Sequence, residues 1–142
     1  MITHKLAVYG TLKKDYCNYY FMKGCKYLGN GYTKDKFGML KGQYEGRLAP
    51  KIFKGYDKGQ VKVEVYEVSN DLLTGPLDYI ENNGVWYQRE EIDIDLKEDI
   101  HPELIDREGN KENNFKALCY IGLGDPGSEM IAEPDKDSLY CY

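Results

Sequence analysis

The sequence predicts an α+β domain, a mixed sheet closed as a small β-barrel with a few short helices. Three observations predict it. Strand-like runs recur along the chain, the clearest at 61–68, where Val61, Val63 and Val65 alternate with charged residues. These runs follow one another with few helical crossovers of the length a βαβ unit needs, which argues against a doubly wound sheet. A chain of 142 residues, 42% hydrophobic and 30% charged, suits one domain with one core.

The elements follow in order. Residues 5–9 form a short apolar run that ends at Gly10, a strand followed by a turn. Asp15 is placed to cap a helix over 16–22, in which Tyr16, Tyr19, Tyr20 and Lys23 share helical spacing, and Gly24 stops it. Residues 25–33 read as a strand loosened by Gly29 and Gly31, and 37–44 as another. The stretch 45–59 reads as a loop with Ile52 and Phe53 turned inward. After 61–68, Ser69 or Asn70 caps a short helical stretch. Pro76 opens a second helical piece over 77–81, closed by Asn83-Gly84. Strands are expected at 85–96 and 115–121, separated by a polar excursion over 97–114 with a hairpin through 103–107. The domain is expected to span 1–122, and the acidic stretch 123–142 to form a tail or flap.

Composition narrows the function. A net charge of −5 lacks the basic surface that neutralises phosphates, so no nucleic-acid partner is expected. No run approaches the ~20 apolar residues of a membrane span, and the apolar run at 5–9 is too short for a signal peptide. No membrane partner and a cytoplasmic location are expected. Cys17, Cys25, Cys119 and Cys141 form no CxxC pair, and only His4 and His101 accompany them. No metal site is expected from that spacing. The 14 tyrosines suit strands, and they suit the lining of a ligand cavity as well.

Two segments have the chemistry of a site. In Tyr9-Gly10-Thr11-Leu12, successive main-chain N–H groups at a turn after a strand can converge on an anion or a carbonyl oxygen. Taken alone, the glycine is explained by the turn itself. In Leu77-Asp78-Tyr79-Ile80-Glu81-Asn82, Glu81 falls at a helix C-terminus, where the helix dipole disfavours its charge. Burial there would raise its pKa toward the range useful for acid–base chemistry. On those grounds alone it is more often an exposed surface glutamate.

Together, and in this order, the segments resemble the gamma-glutamylcyclotransferase / AIG2-like family. AVYGTLKKDYCNYYFMKGCKYLGNGYT at 7–33 is similar to its opening: a Tyr-Gly-Thr/Ser-Leu turn, a following Asn, then a Leu-Gly-x-Gly strand. VEVYEVSNDLLTGPLDYIENNGVWYQREEIDI at 63–94 is similar to its second block, with Tyr66, Leu77, Asp78, Glu81, Tyr87 and Arg89 in place. Residues 115–121, ending in Cys-Tyr-Ile, look like its closing strand, and Gly46-Arg47-Leu48-Ala49-Pro50 echoes its pocket segment.

The resemblance implies a cofactor-independent cyclotransferase that releases 5-oxoproline from a small-molecule gamma-glutamyl amine or gamma-glutamyl amino acid. It implies Glu81 as general acid/base, the turn of Gly10, Thr11 and Leu12 as the cradle of an oxyanion or carboxylate, and Tyr9, Tyr87 and Tyr120 as pocket lining. Glu45 and Glu67 are the other carboxylates within reach of such a role. The alternatives are a non-catalytic small-molecule binding protein that uses the same cavity, and an interaction domain whose acidic tail meets a partner.

Overall fold

The computed structural model describes residues 2–44 and 47–142, with 42–44 and 47–49 described by their backbone alone. Five strands close into a ring: β1 (Thr3–Val8), β7 (Asn114–Gly122), β6 (Tyr87–Glu98), β2 (Lys26–Thr33) and β5 (Gln60–Ser69). β1 pairs with β7 in parallel and with β5 antiparallel, which shuts the barrel and makes it mixed. The short β8 (Leu139–Tyr140) adds a parallel pair to β5. A separate hairpin, β3 (Gly38–Tyr44) and β4 (Arg47–Phe53), lies beside the ring.

The two-residue period sorts the side chains. Val61, Val63 and Val65 point inward with Leu28, Ile94, Leu96 and Cys119, forming the barrel core. The opposite face of β1 and β5 presents Leu6, Val8, Tyr66 and Val68 to Leu73 and Leu77 of the helical segment. Each such buried aliphatic contributes about 1.5–3 kcal/mol of transfer free energy. Two faces of one pair of strands therefore anchor both the barrel and the helix that bears Glu81. Close strand approach explains Gly31, because a Cβ there would lie 2.0 Å from the Asp95 carbonyl oxygen.

Several elements differ from the sequence expectations. The helix expected over 16–22 is a single 3-10 turn, Tyr19–Met22, preceded by Asn18. Asp15 sits at φ 70 and caps nothing; i→i+3 bonds from Tyr16 to Lys13 and from Tyr19 to Tyr16 hold this stretch instead. The expected loop 45–59 contains β4, whose register with β3 spans Gly38↔Phe53 to Tyr44↔Arg47; Pro50 is tolerated because β4 has a partner on one side only. Glu45 and Gly46 lie outside the described residues, and of the pocket-like segment 46–50 only the Pro50 side chain is described.

Pro76 does not open a new helix. The chain runs α1 (Asn70–Leu72), a π turn (Leu73–Leu77) and α2 (Asp78–Ile80) without a break, and the Asp78 N–H reaches back to the Leu73 carbonyl. The wider turn accommodates a proline that has no N–H to donate. Ser69 caps the segment through its hydroxyl, which accepts from the Leu72 N–H at 3.1 Å. β6 begins at Tyr87 rather than 85, leaving Val85 and Trp86 in the preceding turn. Within 97–114, Pro102–Leu104 is a 3-10 turn and the reversal falls at 106–110, between Ile105 and its bridge partner Lys111. There Asp106 accepts from the N–H groups of Glu108 and Asn110. Beyond 122 the chain is tied to the barrel. Leu139 and Tyr140 pair with Gln60 and Val61, and the Tyr140 ring is buried in the barrel core. No helix among the described residues is long and apolar enough to cross a membrane.

Candidate active site

β1 ends beneath the C-terminal end of the helical segment, and a cavity opens between them. Tyr9, Gly10, Thr11 and Leu12 form one side, Glu81 the other, and Tyr87, Tyr120 and Pro50 the walls between. Each residue singled out from the sequence as catalytic or substrate-binding lines this one cavity, although Glu81 is far along the chain from the turn. Glu67 does not: its carboxylate accepts from Thr3 at 2.9 Å and pairs with Lys26 on the outer surface.

The turn is built to leave donors free. The Lys13 N–H closes it by donating to the Gly10 carbonyl at 3.0 Å. Asn18 then fastens it twice, its main-chain N–H to the Thr11 carbonyl and its side-chain amide to the Thr11 hydroxyl, both at 2.9 Å. The N–H groups of Gly10, Thr11 and Leu12 have no acceptor among the described residues. Such a run of free N–H groups suits an anion or a polarised carbonyl. Gly10 is required by close approach, because a Cβ would lie 2.8 Å from Pro50 Cγ.

Glu81 is the C-cap of α2, and its own N–H is held by the Leu77 carbonyl. Its carboxylate has no hydrogen-bond or ion-pair partner among the described residues. Burial pushes its pKa up to about 7. One turn earlier on the same segment, Asp78 is fully engaged. Its carboxylate accepts from Arg89 Nε at 2.6 Å and Arg89 Nη2 at 3.0 Å, and from the Tyr120 hydroxyl at 2.7 Å. This clamp ties the helix end to β6 and β7. The two carboxylates of one helical turn thus have opposite environments, one neutralised and structural, the other desolvated and unpaired.

The tyrosines wall the cavity with their rings. Tyr87 and Tyr120 meet edge to face at 6.4 Å between centroids. Tyr9 is held well above the ordinary phenol pKa, first by burial and then by the nearby Tyr87, Cys119 and Glu81 charges, so it stays a neutral donor. Burial likewise pushes the Cys119 thiol up, making it inert core. Among the described residues, no group of three His, Cys, Asp or Glu is placed to hold a metal ion.

Asn18, Pro50, Asp78 and Arg89 have places in the family-like segments of the sequence, but nothing there gives any of them a role. The signals for Asp78 and Arg89 were present, an acid one helical turn before Glu81 and an arginine two residues after Tyr87. Asn18 and Pro50 act through contacts that no spacing announces.

This closed mixed barrel, with a turn of free N–H groups facing a desolvated glutamate, defines a class that comparison then specifies. The gamma-glutamyl cyclotransferase, AIG2-like family matches residues 6–135, and the chain belongs to that family. It is similar to a provisionally named gamma-glutamylcyclotransferase of Methanocaldococcus jannaschii, 30% identical over 90 residues, which is 63% of this chain and 70% of the relative. A second relative under the same provisional name, from Pyrococcus horikoshii, is 37% identical over 67 residues, 47% of this chain and 51% of its own length. The fold is that of the crystal structure of a mouse AIG2-like protein, with a TM-score of 0.76 at 22% identity, covering 94% of this chain and 86% of that one.

Proposed function

We propose that this protein is a gamma-glutamyl cyclotransferase that releases 5-oxoproline from a gamma-glutamyl amine or gamma-glutamyl amino acid, with Glu81 as the proton shuttle. The observation that carries this reading is the unpaired, desolvated Glu81 carboxylate lining the same cavity as the free N–H groups of 10–12.

In this reading the substrate's α-nitrogen attacks its own γ-carbonyl carbon and closes a five-membered ring. Proximity is supplied by the substrate, so the protein's task is to hold the folded conformer. The α-ammonium must first lose a proton, and ionised Glu81 accepts it. The carbonyl oxygen gains negative charge as the tetrahedral intermediate forms, and main-chain N–H groups of the turn are suited to meet it or the substrate carboxylate. Protonated Glu81 then delivers that proton to the departing nitrogen and, ionised again, takes the second proton that the ring nitrogen sheds as the original C–N bond breaks, passing it to the released amine, which leaves as an ammonium. Charge and protons balance without a metal or an organic cofactor. The pKa of about 7 fits both halves, because near neutral pH the group passes between its two forms at little cost.

The test is turnover. Purified protein is incubated with gamma-glutamyl amino acids, gamma-glutamyl-ε-lysine, glutathione and simple gamma-glutamyl amides, and 5-oxoproline is quantified. Release from at least one of them is expected. Binding of these compounds without any release would overturn the enzyme reading in favour of a binding protein.

A further inference from the structure

Three tyrosines line the cavity, yet each hydroxyl has already committed its proton to the protein. Tyr9 donates to the Tyr120 carbonyl at 2.6 Å, Tyr87 to the Pro50 carbonyl at 2.8 Å, and Tyr120 to Asp78 at 2.7 Å. A hydroxyl has one proton to give. Among the described lining residues, Thr11 is left as the side-chain hydroxyl with a proton still available.

Asn18 decides where that proton goes. Its side-chain amide donates to Thr11 Oγ1 at 2.9 Å. An N–H donor cannot accept, so the Thr11 proton must turn elsewhere, and no acceptor among the described residues meets it. Asn18 itself is 8% exposed and fixed by its main chain: its N–H donates to the Thr11 carbonyl at 2.9 Å, and its carbonyl accepts from Phe21 at 3.2 Å. Two contacts between Asn18 and Thr11 close a small ring that prevents either from shifting alone.

We propose that Asn18 is a positioning residue whose amide commits the Thr11 hydroxyl as a hydrogen-bond donor into the cavity, where it meets a carboxylate oxygen of the ligand. The ligand group must be an acceptor, because an N–H or O–H would face a donor in the hydroxyl and more donors in the neighbouring N–H groups. A carboxylate fits best, since hydrogen bonds to a charged acceptor are about twice as strong as neutral ones. The proposal deepens the cyclotransferase reading and rests on it only in taking this cavity as the ligand site.

The experiment is calorimetric titration with 5-oxo-L-proline, a small carboxylate, against wild type, N18D, N18A, T11V, T11S and the double variant T11V/N18D, with turnover measured in parallel. The carboxylate that N18D introduces accepts the Thr11 proton and reverses the polarity of the pair. Affinity should fall by about tenfold or more, the usual worth of a hydrogen bond to a charged group. N18A frees the hydroxyl to rotate and should fall less. T11V should lose affinity, and T11S should recover most of that loss. In the T11V background the N18D substitution should cost much less than it does alone, a coupling that neither added charge nor general loosening produces. Thermal melts identify any variant that fails to fold. If N18D does, N18A and T11V/N18A complete the same cycle. Unchanged affinity in N18D, additive effects of the two substitutions, or no binding of 5-oxo-L-proline by wild type would each overturn the proposal. Coupled binding with no turnover of any gamma-glutamyl compound would instead sink the cyclotransferase reading and leave this one standing.

Discussion

On one side of the cavity the turn at 10–12 offers main-chain N–H groups; on the other, Glu81 offers a single carboxylate at the end of a short helical segment. The turn hangs from β1, which is paired on both edges, and Asn18 and Lys13 fasten it locally. Glu81 depends on a segment with a π turn in its middle, held at its end by the Asp78–Arg89–Tyr120 clamp. Main-chain donors survive almost any side-chain change, whereas a proton shuttle is lost with one residue. The two walls should therefore respond to substitution very differently, and that asymmetry can be broken or sharpened by experiment.

The largest effect is expected at Glu81. Glu81→Gln keeps the shape and removes the titrating group, so kcat should fall by about 10²–10⁴-fold while ligand affinity is retained. Steady-state kinetics on any accepted gamma-glutamyl compound, with calorimetry alongside, checks this. Glu81→Asp should also suffer, because one methylene of retreat spoils the reach to the α-nitrogen.

Next comes the clamp. Asp78→Ala strands the Arg89 guanidinium, whose side chain is 23% exposed, and frees the Tyr120 hydroxyl. Stability should drop by about 2–4 kcal/mol in urea titrations, the penalty for orphaning one partner of a largely buried pair. If Asp78→Ala melts like wild type, the helix end is held by packing of Leu73 and Leu77 alone.

On the turn side, Gly10→Ala drives a methyl into Pro50. A cost of about 1–3 kcal/mol is expected from the forced shift, with KM raised more than kcat is lowered. A kcat loss matching that of Glu81→Gln would erase the contrast between the walls.

The smallest effect is a pH-dependent difference in stability. A carboxyl whose pKa is raised to about 7 in the fold holds its proton there while the unfolded chain has released it. Wild type should therefore lose stability as pH rises from the ordinary carboxylate range toward 7, and Glu81→Gln should not. The melting temperature of Glu81→Gln should match wild type at acid pH and exceed it above neutrality. Parallel curves would mean that Glu81 is not desolvated.

How much of this was legible in the sequence varies with the physics of each element. The barrel strands at 61–68 and 115–121 were plain, because period-two burial writes itself into residue choice. β4 was hidden by Pro50 and the lysines around it, since a strand paired on one edge tolerates residues that read as loop. The unbroken helix through Pro76 was hidden as well, because a π turn removes the penalty that makes proline a reliable stop. At the site, the turn and Glu81 were legible as a motif. That they share one cavity depends on the closure of β1 against β5 and β7, which no local pattern encodes. Asn18 looked like a helix residue in a run of tyrosines, and only the long-range fold of 10–18 reveals what its amide touches.

The central claim is that Glu81 carries the proton, and the pH dependence of 5-oxoproline release tests it most directly. For wild type, kcat/KM should rise through a midpoint of about 7 as Glu81 ionises, and the residual activity of Glu81→Gln should lack that limb. A wild-type profile flat from about pH 5 to 8, or the same limb in Glu81→Gln, would contradict it.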